Sequence, residues 1–213
     1  MRAVKTLILM LAVSVGVATA TPACLSVLGT NVLTPGFSCE LGGMTFSNFN
    51  ASGIGLSGSP QIYLAAGVPP HQTGVNGATV NLYFQTNFNF PTDTYRNITF
   101  TYMVSGAWIY EVDGWMGGGG TRTIDERVHS NPTYTNLIGS LLLTSGSPAG
   151  EAPLNPQLST IYIIKDISLD SGATMSEFSQ SFSTPEPLTL GLMGSGLVLI
   201  GLLGRRRRTR KNS

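Results

Sequence analysis

The sequence predicts an all-β protein: one β-sandwich or jelly-roll-like domain, flanked by an N-terminal signal peptide and a C-terminal transmembrane helix. Short stretches of alternating apolar and polar residues recur roughly every 10 to 20 residues, which is typical of sandwiches and barrels. The chain has 26 glycines and shows no long helical period in its middle. Its two ends are uniformly apolar runs next to basic residues. These observations divide the chain into 1–20, 24–184 and 185–213.

The middle segment, 24–184, has the length of one domain with a sizeable core. Alternation places Val80, Leu82 and Phe84 on one strand face, and Ile98, Phe100 and Tyr102 on another. The candidate strands are 43–49, 61–64, 78–85, 97–104, 107–112, 121–128, 137–144, 160–167 and 174–182. Of these, 137–144 could also form a short helix.

Three local features refine this prediction. Alternation in 43–49 puts Met44, Phe46 and Asn48 opposite Thr45, Ser47 and Phe49. Only two residues, 105–106, separate 97–104 from 107–112, which indicates a hairpin. The four-glycine run 117–120 is interpreted as a flexible hairpin tip, because no helix or lysine follows it to make a phosphate-binding loop.

The N-terminus has the features of a secretory signal peptide. Arg2 and Lys5 precede an apolar core over 6–17, and the small residues 18–20 suit cleavage by signal peptidase after Ala20. A lipoprotein would need an aliphatic residue where Thr21 stands, so lipidation of Cys24 is the weaker alternative. The sequence therefore predicts export of the middle segment.

Once the terminal segments are set aside, the charge of the protein changes sign. The whole chain carries +1, whereas 24–184 holds four basic and ten acidic residues, a net charge of −6. Binding to nucleic acid requires clustered positive charge, and this segment has none, so a nucleic-acid partner is excluded on sequence grounds.

The two cysteines of the chain, Cys24 and Cys39, would enter an oxidising compartment. A disulfide between them would close a short N-terminal loop, which is our default expectation. Two cysteines without a nearby histidine do not form a structural metal site.

The C-terminal tail has three consecutive parts. Pro185, Glu186 and Pro187 precede an apolar run over 188–204, whose 17 residues would span about 25 Å as a helix, close to the thickness of a bilayer. A basic end, 205–211, follows; it contains Arg205, Arg206, Arg207 and Arg208, which would stop transfer at the cytoplasmic face. The sequence thus predicts a single-span anchor in the inner membrane with the domain outside.

This order of motif, apolar span and arginine cluster resembles the PEP-CTERM sorting signal of exported bacterial proteins. The resemblance covers about thirty residues and implies processing near Pro185, Glu186 and Pro187 by an exosortase, followed by transfer to the cell surface or extracellular matrix. Leu188-Thr189 stands where many members have Ser-Thr. The middle segment is also similar to domains found ahead of such tails, at Cys39, at 42–49 and at 164–167, a likeness that names no activity.

A search for catalytic chemistry in the middle segment gives few candidates. His71 and His129 are far apart in sequence and are interpreted as loop or surface residues. No nucleophile elbow, zinc-ligand pair or phosphate-binding loop occurs, so no catalytic residue, metal or cofactor is predicted. Glu111 and Asp113 would share a strand face and could serve as hydrolytic carboxylates or calcium ligands, although a solvated strand edge is the simpler interpretation.

Three aromatic residues suggest a binding function instead of a catalytic one. Trp108, Tyr110 and Trp115 could form a stacking platform for sugar rings, although packing in the core is the favoured interpretation. The sequence therefore favours a non-enzymatic surface or matrix protein that an exosortase sorts. The alternatives are a carbohydrate-binding module able to contact exopolysaccharide, a glycan-active enzyme and a permanent single-span membrane protein.

Overall fold

The described part of the protein is an antiparallel β domain. A computed structural model describes residues 21–54, 62–65, 78–89 and 96–184, which confirms the all-β class. Within these ranges a 3₁₀ turn, Cys24–Val27, precedes strands β1 Cys39–Leu41, β2 Met44–Ile54, β3 Ile62–Ala65, β4 Ala78–Asn89, β5 Arg96–Gly119, β6 Arg122–His129, β7 Leu137–Thr144, β8 Ala149–Leu169 and β9 Thr174–Thr184. The predicted signal peptide, the Pro-Glu-Pro motif, the predicted membrane span and the basic end all lie outside these ranges.

The strands form one sheet with two halves, and the long strands β5 and β8 run through both of them. Strand order is β3-β4-β9-β5-β8-β6-β7, with β2 on β5 and β1 on β2. The first part of β5, 96–105, pairs with β2 and with 160–169 of β8. The second part of β5 pairs with β9 and with the first part of β8. We call the half around β2, β6 and β7 the first half, and the half around β3, β4 and β9 the second half.

The two halves face each other across a shared apolar core. Phe84 on β4 and Phe178 on β9 contact Phe100 on β5, with ring centroids 5.7 Å apart in both cases. A Cβ added at Gly114 would stand 3.2 Å from a methyl of Leu143, so β7 of the first half also packs against the second part of β5. As predicted, Val80, Leu82 and Phe84 are buried together with Ile98, Phe100 and Tyr102.

The predicted hairpin at 105–106 is wrong. Residues 97–104 and 107–112 belong to one strand, β5, which continues through a register irregularity between Ser105 and Ile109. Gly106 permits this continuation because it adopts φ +128°, a backbone conformation that side chains with a Cβ rarely reach. The chain therefore passes from the first half to the second half here and does not reverse.

The glycine run is also not a hairpin tip. Gly117, Gly118 and Gly119 lie in β5 and pair with Glu177, Met175 and Thr174 of β9. A Cβ at Gly118 would overlap the backbone of Thr174, which explains why glycine occupies this position. The glycine run therefore lets the backbones of β5 and β9 approach each other closely.

Local irregularity alters one predicted strand face as well. Met44 and Phe46 are buried as expected, but Asn48 has φ +57° and a register shift occurs between Ser47 and Asn50. This shift turns Phe49 toward the core, where its ring stacks on Tyr102 at 5.4 Å. The alternative of a helix over 137–144 is not realised, since these residues form β7.

The expected disulfide is present. Cys24 and Cys39 are bonded and buried, and their link ties the 3₁₀ turn to β1. Glu40 adds a bridge to Ala23 beside it. In the described part of the chain, no helix has the length and apolar character needed to cross a bilayer.

Candidate functional site

The outward surface of the second half carries a row of acidic and aromatic side chains along β5. Val112 and Met116 point into the core, so Glu111, Asp113 and Trp115 point to the opposite face. Small residues of β9 stand beside them: Ser183, Ser181 and Ser179 are their ladder partners, and these three serines are themselves buried. We name this surface the outer acidic face. It consists of Tyr83, Trp108, Tyr110, Glu111, Asp113, Trp115, Glu151 and Glu177.

Three carboxylates converge at the centre of the outer acidic face. Glu151 on β8 stands directly opposite Asp113 in the ladder, and oxygens of Glu111, Asp113 and Glu151 all lie within 4.8 Å of one another. Burial raises the pKa of Glu111, and the charges of Asp113 and Glu151 raise it further. A hydrogen bond from the Ser183 hydroxyl, at 3.4 Å, opposes this shift.

These carboxylates are oxygen donors of the kind that calcium takes. Calcium needs six to eight oxygen ligands, so most of its shell would have to come from water or from other groups. The three carboxylates could also bind a ligand with several hydroxyl groups, because an ionised carboxylate accepts hydrogen bonds and cannot donate them. Asp113 is 3% exposed, whereas Glu151 is exposed, so the cluster is open on one side.

An aromatic and acidic patch lies next to the three carboxylates, further along β5 towards its C-terminal end. The ring of Trp115 lies over Gly117: a Cβ there would stand 2.7 Å from the Cη2 atom of Trp115 and 2.7 Å from Cγ of Glu177. Glu177 accepts a hydrogen bond from the hydroxyl of Tyr83 on β4. Because Gly117 has no side chain, Trp115, Glu177 and Tyr83 meet above it, each only half-buried.

The predicted stacking residues are only partly brought together. Ile109 and Val112 are both buried, so Tyr110 and Glu111 between them turn away from the core. Trp108 is 59% exposed, next to the corner of β5. Within the described ranges, no ring pair among Trp108, Tyr110 and Trp115 is in stacking contact. The core-packing alternative is wrong for Trp108.

A second polar cluster, which sequence reasoning missed, lies inside the core. Lys165 on β8 is fully buried and forms an ion pair with Glu126 on β6. Its amine also donates a hydrogen bond to Oε1 of Gln180 on β9. A signal for this cluster exists in the sequence, since Lys165 alternates with Ile161, Ile163 and Ile167 on the apolar face of its strand. We name Lys165, Glu126 and Gln180 the interior triad.

The histidines and the N-terminal loop add little chemistry. His129 lies at the end of β6 and is buried against Tyr134, so its interpretation as a loop or surface residue is wrong. Burial, then the charge of Arg127, lower its pKa. His71 lies outside the described residues.

An open cleft of about 390 Å³ lies between the N-terminal loop and β2, lined by Asn31, Leu33, Thr34, Pro35, Phe49, Asn50 and Ala51. Its lining contains no titratable side chain.

Comparisons with known proteins give distant structural likenesses. No protein-family profile matches the chain, and no curated protein is significantly similar in sequence. A family 61 carbohydrate-binding module solved with β-1,4-galactotriose is 15% identical, with a TM-score of 0.37 over 63% of this chain and 88% of that one. The family 11 carbohydrate-binding module of a Clostridium thermocellum cellulosomal cellulase, Lic26A-Cel5E, is 11% identical, with a TM-score of 0.30 over 66% and 90%. At these values neither likeness assigns a function to this chain.

Proposed function

We propose that this protein is an exported, non-catalytic glycan-binding protein whose β-sandwich domain uses the outer acidic face as its binding surface. The observation that carries the proposal is the combination of Trp115 with three converging carboxylates on one outward sheet face. Aromatic rings stack on the C–H faces of sugar rings, and carboxylates accept hydrogen bonds from sugar hydroxyl groups. Both kinds of group are fixed on rigid strands, as a specific site requires.

The shape of the surface suits an extended chain of sugars. From Trp108 to Trp115 the strand covers roughly 20 Å, and the side chains of this stretch that reach solvent are those of Trp108, Tyr110, Glu111 and Trp115. Tyr83 and Glu177, both half-buried, widen this surface across β9 to β4. A row of partly exposed side chains of this length favours a polysaccharide over a small molecule, which would need an enclosed pocket.

Charge selects the type of glycan. The segment 24–184 carries −6, and four of its ten acidic residues belong to the outer acidic face. A uronic-acid or sulfated polymer would be repelled from such a surface. We therefore infer that the ligand is a neutral polysaccharide, and that an acidic exopolysaccharide would bind much more weakly.

The tail supplies the sorting part of the proposal. The order Pro185, Glu186, Pro187, apolar span and arginine cluster favours export, brief anchoring in the inner membrane and release or transfer by an exosortase at the outer surface. Fractionation of cells that produce the full-length protein tests this. Wild type should leave the membrane fraction when the sorting enzyme is active, while Glu186→Ala should stay there. A mature protein still ending at Ser213 under these conditions would refute processing and favour a permanent anchor.

A glycan hydrolase remains the second candidate, because one observation favours it. Glu111 and Asp113 have oxygens within 4.8 Å, near the separation of about 5 Å seen in retaining glycosidases, and the pKa of Glu111 is raised as a general acid requires. Incubation of the exported protein with polysaccharides distinguishes the two functions. Release of reducing ends that is abolished by Glu111→Gln would replace the binding proposal with an enzymatic one.

A further inference from the structure

The interior triad joins the two halves of the sheet. Glu126 and Lys165 are ladder partners in the first half, and Gln180 lies opposite them in the second half. All three residues have an exposed fraction of 0%. Lys165 is the only lysine between Cys24 and Thr184, and its amine contacts both the carboxyl of Glu126 and the amide of Gln180.

We propose that Lys165 and Gln180 become joined by an intramolecular amide bond, with Glu126 as the group that moves the proton. The cluster has the three parts that such a reaction needs: an amine, an amide carbonyl in contact with it, and a carboxyl group in contact with the amine. It is also shielded from water, which would otherwise compete as the nucleophile.

The reaction balances without an oxidant or a co-reactant. Transfer of a proton from Lys165 to Glu126 leaves Nζ uncharged, and Nζ then attacks Cδ of Gln180. Glu126 gives its proton to Nε2 of Gln180 and accepts the proton that Nζ loses, the Cδ–Nε2 bond breaks, and one ammonia leaves as the Nζ–Cδ amide is completed. Loss of ammonia to solvent makes the step irreversible under cellular conditions.

The environment favours the reactive, uncharged forms. Burial lowers the pKa of Lys165 and raises the pKa of Glu126, while their mutual attraction opposes both shifts. Phe178 forms an apolar wall, with its ring centroid 5.7 Å from Nζ. Burial and then the charge of Glu126 raise the pKa of Tyr102 well above 10, so the Tyr102 hydroxyl stays protonated and leaves Glu126 as the base.

The hydrogen bonding of the triad is incomplete before the reaction. With Oε1 of Gln180 turned to Lys165, neither Nε2 of Gln180 nor Oε1 of Glu126 has a hydrogen-bond partner among the described residues. The Gln180 amide is near enough to Glu126 to lower its pKa somewhat. A buried donor without a partner and a buried ion pair are both costly. The amide bond would remove the charge of Lys165 and the unpaired NH₂ group together.

Mass spectrometry of the folded, exported protein tests the proposal directly. After reduction of the disulfide, the wild-type mass should be lower than the sequence mass by one ammonia. Trypsin should fail to cut after Lys165. Cleavage at the acidic residues between positions 165 and 180 should leave the two peptides linked. The bond is independent of glycan binding, so this test and the binding test can fail separately.

Variants give a matched comparison. Lys165→Met and Gln180→Leu should show the full sequence mass, whereas Gln157→Leu, which removes an exposed glutamine, should still lose one ammonia. Glu126→Gln should retain the full mass while Cys24 and Cys39 still form their disulfide. Wild-type protein of full mass with a free Lys165 would overturn the proposal even if the variants fail to fold. Loss of water mapped to Lys165 and Glu126 would overturn the choice of Gln180.

Discussion

Gly106 lies against the backbone of Gly43, so closely that a Cβ added to Gly106 would overlap the Gly43 carbonyl oxygen and stand 3.2 Å from Cα of Met44. This contact is made where β5 passes from the first half of the sheet to the second half. Since Glu111, Asp113 and Trp115 all follow this corner on the same strand, the position of the outer acidic face depends on it.

We therefore expect Gly106→Ala to lower the free energy of unfolding by about 3 kcal/mol, because both its φ of +128° and the space around it exclude a methyl group. Gly172→Ala is the matched control. Its φ is +74°, but nothing lies within 4 Å of the added atom, so only backbone strain of about 1 kcal/mol applies. Urea unfolding followed by circular dichroism measures both. Equal losses in the two variants would show that the corner is not closely packed.

The disulfide should account for a large part of the stability of the N-terminal region. Cys24 and Cys39 are 15 residues apart, and closing a loop of this length stabilises a protein by about 3 kcal/mol. The double variant Cys24→Ala, Cys39→Ala should lose that amount in urea unfolding, and wild type with reductant should behave like the variant. A loss below about 1 kcal/mol in both would mean that the bond constrains little.

Acidification should relieve the cost of holding an ionised, partly buried Glu111 beside Asp113 and Glu151 on the outer acidic face. The pKa of Glu111 is raised in the folded state, so its ionisation opposes folding at any pH above that raised pKa. As the pH falls through the folded pKa towards the unfolded value, this unfavourable contribution is lost and relative stability increases. The urea midpoint of Glu111→Gln should exceed that of wild type at neutral pH, with the difference shrinking in acid.

The control for this pH series is Glu40→Gln, which changes an exposed carboxylate on β1 outside the acidic face. It should leave the difference between neutral and acidic midpoints as in wild type. If the midpoint of Glu111→Gln differs from that of wild type by the same amount at every pH, the raised pKa of Glu111 in the folded state is contradicted.

Sequence alone predicted much of this domain, and the failures have a common cause. Alternation correctly paired Val80 with Leu82 and Phe84 because burial of one strand face is a local property of the sequence. Alternation failed at Gly106 because a glycine at this position suits a hairpin turn and a continuing strand equally well. The strand continues because the residues after Gly106 pair with β9, which is distant in sequence.

The same limit applies to the functional residues. Glu111 and Asp113 were recognised from their spacing, but Glu151 joins them only through the register of β8, which local pattern does not specify. Likewise, the local pattern around Glu126 does not identify its partner. Its contact with Lys165 results from the pairing of β6 with β8.

Glycan binding by Trp115 tests the central claim most directly. In affinity electrophoresis and titration calorimetry, the purified protein should bind a neutral galactan or glucan and should bind acidic alginate far more weakly. Trp115→Ala should weaken the neutral interaction at least about tenfold, or roughly 1.4 kcal/mol. Tyr162→Ala, which removes a half-buried ring from the outward surface of the first half, should bind as wild type does. Absence of binding to every neutral polysaccharide, or unchanged affinity in Trp115→Ala, would contradict the account.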